Sequence, residues 1–110
     1  MIHGNTRMQL QVKKVVTNAI SEQETVWETV QTLFGWIDQT GGETNFTTYN
    51  AKIQESTHMF FADYVELSSR IKAENSRAVI DGYVYDITLI DDPMNMHQQW
   101  EIFLKYTGGQ

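Results

Sequence analysis

Asp81 and Gly82 stand between two apolar runs, Ala78-Val79-Ile80 and Tyr83-Val84-Tyr85. Both residues tolerate positive φ, so a two-residue type I′ turn joins the runs as twisted antiparallel strands. A hairpin of this kind is not stable alone, and the rest of the chain must extend or cover it. The sequence offers strands for that purpose and no long helical stripe. Met8, Leu10 and Val12 alternate with Gln9, Gln11 and Lys13, a half-buried strand running to about Val16, with a phase slip at Lys13-Lys14 that reads as a β-bulge. Residues 25–38 carry Val26, Val30, Phe34 and Trp36 on one parity and Trp27, Leu33 and Ile37 on the other, a long strand covered on its second side for part of its length.

Residues 53–65 regain strand character, with Met59, Phe61 and Val65 alternating against His58, Phe60 and Tyr64. After the turn, Tyr83, Tyr85, Ile87 and Leu89 share a face, and Asp91-Asp92-Pro93 ends that strand because proline lacks a ladder donor. Trp100, Ile102, Leu104 and Tyr106 form one face of a last strand. Between the second and third strands lies TGGETNFTTYN, residues 40–50, whose glycines, asparagines and threonines fit neither period and predict a long loop. ELSSRIKAENS reads as connection. The expected fold is all-β, a small antiparallel β-barrel of about six strands with one long loop between the second and third, since closure removes exposed edges. Residues 1–110 read as one domain, with 1–7 and 107–110 as flexible tails.

Composition narrows the function. With 41% hydrophobic and 12% aromatic residues the chain can build a core, and the absence of cysteine removes disulfides and Cys-ligated zinc. Fourteen acidic against eight basic residues leave a net charge of −6, which opposes the phosphate contacts of a nucleic-acid binder. The aromatic residues do not offset this, because residues 81–100 contain no Lys or Arg to interleave with a stacking platform. No apolar run is long enough to span a bilayer and the start MIHGNTRMQLQVKK has no signal-peptide core, so a soluble cytosolic product with no membrane partner is expected. His3, His58 and His97 lack metal-ligand spacing, Asp81 and Asp92 fit turns, and Asp86 fits a solvent face. No nucleophile or phosphate-loop motif occurs. The expectation is a protein without catalytic residues, metal or cofactor.

The segments VWETVQTLFGWID, QESTHMFFADYV, SRAVIDGYVYDITLIDDP and QQWEIFLKY, in that order and spacing, resemble the head-tail joining, or head-closure, family of tailed bacteriophages, from about Leu10 to Tyr106. The resemblance implies a β-barrel that assembles with itself into a ring, twelvefold, while an isolated subunit can be monomeric. It implies the portal and adaptor ring and the tail terminator protein as partners, with double-stranded DNA passing without specific binding. Assembly in the host cytoplasm and a final place in the virion neck follow. In this family the loop between the second and third strands plugs the channel. Here that loop is Thr40, Gly41, Gly42, Glu43, Thr44, Asn45, Phe46, Thr47, Thr48, Tyr49 and Asn50, with no Lys or Arg among them. A tail-completion or adaptor role in the same neck is one alternative. Another is a small monomeric barrel that binds a ligand or peptide, residues 40–50 forming its rim.

Overall fold

The computed structural model describes residues 4, 6–39 and 56–109. Six antiparallel strands, β1 (Thr6–Thr17), β2 (Gln23–Gln39), β3 (His58–Asp63), β4 (Ser76–Ile80), β5 (Tyr83–Asp91) and β6 (Gln99–Gly109), pair in the cyclic order β1-β2-β3-β6-β5-β4. The sheet therefore closes into the small all-β barrel that the alternation predicts. At its turn, Asp81 and Gly82 both have positive φ, 52° and 82°, and Ile80 pairs with Tyr83. This is the type I′ geometry, which only residues tolerant of that region adopt without strain.

The interior is filled by one face of each strand. Met8, Leu10 and Val12 of β1, Leu33 of β2, Phe60 and Ala62 of β3, Ala78 and Ile80 of β4, Tyr85 and Ile87 of β5, and Ile102 and Leu104 of β6 form a single buried cluster. Ile71 closes it from the connection between β3 and β4, with Leu67 and Ala73 packed beside it. That connection contains one short 3₁₀ turn, Ala73–Asn75. Gln31 holds it to the barrel: its Nε2 donates to the Glu66 carbonyl at 3.0 Å and its Oε1 accepts from the Ser68 amide at 2.9 Å. Two backbone groups that no strand partner satisfies are thus paired.

Two bulges set the phase of the outer face. The first lies where Leu10 pairs with Gln31 and Gln11 with Thr29, so the extra residue is Val30 of β2. The slip expected at Lys13-Lys14 is absent, and both residues pair in register with Trp27 and Val26. Beyond Val12 there is no core face to obey, so Val15-Val16 breaks the alternation without breaking the ladder. The second bulge falls at Thr88: Ile87 pairs with Leu104, but Leu89 pairs with Phe103. Leu89 is therefore turned away from the face of Tyr85 and Ile87, and Ile90 takes the inward position opposite the buried Ile102.

Strand limits also differ from the sequence reading. β3 ends at Asp63, because the Tyr64 amide turns to the Gln98 carbonyl and the Val65 carbonyl accepts the Trp100 indole N–H at 2.7 Å. The last strand runs on through 107–109, with Gly108 and Gly109 paired to Val84 and Tyr83, and β1 begins at Thr6. Those ends are ordered by the strands beside them rather than by their own propensity, so 6–7 and 107–109 are strand where the sequence suggests loose tails.

Candidate functional site

Chain direction sorts the connections between the two ends of the barrel. β1, β3 and β5 run one way and β2, β4 and β6 the other. The lower end therefore carries the Asp81-Gly82 turn, the start of β1, the end of β6 and the exit of residues 40–55. The upper end carries the β1–β2 turn, the β3–β4 connection and the β5–β6 loop. All eleven residues of the predicted plug, 40–50, lie outside the described residues. What the structure gives is the stem on which they stand.

That stem is closely tied. Gln39, the last residue of β2, pairs with His58, the first of β3. Preceding His58, the Thr57 amide donates to the Leu104 carbonyl at 2.8 Å, and its hydroxyl accepts from the Tyr106 amide at 2.7 Å. The same hydroxyl lies 2.8 Å from His58 Nδ1. Ser56 is buried, its hydroxyl 2.8 Å from that of Thr88, which donates to the Phe103 carbonyl. With the Thr88 proton so engaged, Ser56 is the donor to it. The His58 ring stands edge-on to Tyr85 at 5.2 Å, and Tyr106 touches both Tyr85 and Tyr83. Burial, with the neighbouring Tyr106 second, pushes the Tyr85 hydroxyl pKa above its ordinary value, so the phenol stays neutral. The bulge at Thr88 thus serves the stem: it aims a hydroxyl at Ser56. The Thr-His pair was visible in the sequence as part of the resemblance, whereas the Ser56–Thr88 link joins residues far apart and carries no local signal.

The upper end is built differently. β1 and β2 continue beyond the barrel as a ribbon whose turn is organised by Asn18. Its Oδ1 accepts the amides of Ile20 and Glu22, each at 3.0 Å, and its Nδ2 donates to Glu24 at 3.2 Å. Ile20, 73% exposed, is held out at the tip. Replacing Asn18 by alanine is expected to speed hydrogen exchange of the Ile20 and Glu22 amides roughly five- to tenfold, the consequence of losing about 1 kcal/mol of local hydrogen bonding. The melting temperature should stay close to that of the wild type, because the tip contributes nothing to the core.

On the β5–β6 loop, Asp92 accepts the His97 amide at 2.9 Å and pairs with His97 Nδ1, while Tyr64 is stacked between His97 and Trp100. Met94, Asn95 and His97 all have positive φ. Met94 and Met96 are left pointing to solvent.

Charge is unevenly spread over the outer wall. Lys13, Lys14 and Arg77 lie near the base of the ribbon, where Arg77 stacks 4.5 Å from the centre of the Trp27 ring and donates to Gln11. Arg70 meets Glu28 at 2.9 Å, and its hydrogen bond and charge hold the Glu28 carboxyl below the ordinary carboxylate pKa. A cavity of about 630 Å³ beside the ribbon is lined by Lys13, Trp27, Glu74, Asp86 and Lys105, charges of both signs with no nucleophile among them. Among the described residues no group of three His, Asp or Glu side chains is placed to hold a metal, and no helix is long and apolar enough to cross a membrane.

Two kinds of surface result: a stem at one end that anchors a long excursion, and projecting tips at the other. A comparison with protein-family models matches residues 2–106 to the phage head completion protein family. A comparison with curated proteins finds no match.

Proposed function

The chain belongs to the phage head completion protein family, a structural family of the head–neck region that works in contact with other head and tail proteins, and from that premise we propose that it closes the DNA exit of a filled head. In this reading copies form a ring, twelvefold, below the portal and adaptor. Residues 40–50 obstruct the channel, and the assembled surface receives the tail.

The observation that carries the reading is the stem. Gln39 and Ser56 stand on neighbouring strands, and the second is locked by Thr57, Thr88 and Leu104. A span of sixteen residues between such anchors, 40–55, can project at most about 26 Å, half its extended contour. Lengthening a loop costs little in closure entropy. The Gly41-Gly42 pair supplies backbone freedom for an open and a constricted arrangement. Twelve copies at −6 each carry −72, so acids facing the channel repel DNA within a Debye length of about 8 Å and leave the obstruction steric.

The test is deletion of residues 43–48. The shortened protein should fold and add to DNA-filled, tail-less heads as the full chain does, but the DNA in those heads should become accessible to nuclease and be lost. Heads that stay full and infectious would overturn the plug. If the protein adds only after tails are present, a tail-completion role replaces head closure.

A further inference from the structure

β4 pairs with β1 only from Gln9 to Val12, and β3 pairs with β2 only from Gly35 to Gln39. Residues 13–17 and 23–27 therefore form a ribbon with no strand on either edge, reaching about 16 Å past the barrel. It packs on no core of its own: Val15, Ile20 and Val26 are 58%, 73% and 37% exposed. A two-stranded ribbon with both faces in water is marginal, yet the Asn18 hydrogen bonds shape its tip. This is the build of an element that is completed by contact.

A second unsatisfied surface lies on the outer wall of β2 and β3. The second parity of β2, with Phe34 and Trp36, faces solvent, the two rings being 59% and 48% exposed. Trp36 pairs with Phe61, and Phe61 with Glu101 of β6, so an aromatic band ends on an acid. Asp38, on the same face of β2 as Trp36, adds another, also exposed. The ribbon carries the complementary charges, Lys13 and Lys14 beside Val15 and Val26.

We propose that the ribbon of one copy packs across the Phe34-Trp36-Phe61 face of the next, its lysines meeting Asp38 and Glu101. The partner is a second copy of this chain, selected by charge. In a protein of net charge −6 copies repel, and apolar contact is available only where the few lysines are brought against acids. Because ribbon and face are different surfaces, the contact is heterologous and propagates until rotation closes a ring. Strands of a small barrel are tilted by about 35–45° to its axis, so the ribbon leans sideways toward a neighbour. The inference rests on the head-closure reading for why a ring is needed, but not for its geometry.

Two variants test it by charge exchange. The double change Lys13→Glu and Lys14→Glu, and separately Asp38→Lys and Glu101→Lys, should each weaken self-association more than tenfold in sedimentation without lowering the melting temperature. Mixing the two variant proteins should restore hetero-association between them. Association at wild-type strength in either variant, or no recovery on mixing, overturns the proposal.

The chain has no cysteine, so engineered disulfides report cleanly. Protein carrying both Gln23→Cys and Asp38→Cys, oxidised at high concentration, should give a ladder beyond dimer. A product that stops at a doubly linked dimer means reciprocal pairing and also overturns it. Binding to filled heads separates the two readings. Lysine-reversed protein that still forms rings on heads removes this interface and leaves head closure standing. Wild-type protein that cross-links into the ladder but never binds heads does the reverse.

Discussion

Replacing Phe60 by alanine is expected to cost about 3–5 kcal/mol, the usual loss when a fully buried phenylalanine leaves a cavity. Phe60 is 0% exposed and sits among the core side chains of β3, facing Met8, Leu10, Ile102 and Leu104, which are as completely enclosed. A closed barrel cannot collapse around the hole by sliding one layer over another, since every strand is held by two neighbours. Against a typical domain stability of about 5–15 kcal/mol this is a large fraction, and urea denaturation should show a midpoint shift with little change in slope. Phe60→Leu, which keeps most of the volume, should lose clearly less. Equal losses would mean that the site is not packed as described.

Gly35→Ala should be nearly as severe for the opposite reason. Gly35 is buried where β2 turns its inner face to β3, and a Cβ there would overlap the carbonyl oxygen of Phe61. The obstacle is backbone, so no rotamer change relieves it, and β2 and β3 must separate. Overpacking of this kind costs about 3 kcal/mol. The ladder from Gly35↔Ala62 to Gln39↔His58 begins at this position, so the expected result is a lower melting temperature together with faster amide exchange along β3. An alanine variant as stable as the parent would show that the two backbones are not so close.

The faces of the strands were legible wherever burial is one-sided. Met8, Leu10 and Val12, and Ile102 and Leu104, point inward as their alternation says, because a one-residue slip would expose the whole set. Asp81-Gly82 and Asp91-Asp92-Pro93 mark a turn and an end through local backbone chemistry, and both are where they were expected. Leu89 was not legible. Its phase depends on the bulge at Thr88, which is held by Ser56 and Phe103 from other strands. The same holds for Val30, whose extra residue shows only against β1. Neither the ribbon nor the exposure of Phe34 and Trp36 could be read from residues 13–38, because apolar residues on both parities look the same whether the second face is covered or bare. For the functional stem, Thr57 and His58 were in view, but the partners that immobilise them come from β5 and β6.

The stem also determines how tension would travel. Anything that draws residues 40–55 away from the barrel pulls on the adjoining ends of β2 and β3 together, so that pair does not slide against itself. The strain passes to the two outer seams as shear, β2 against β1 and β3 against β6. The first is backed by all twelve residues of β1 and the second by only the six of β3. Thr57, bonded to Leu104 and Tyr106 at the place where the pull first arrives, lengthens the weaker seam. A hydroxyl at that one position is a mechanical rivet, and yielding under load would begin there.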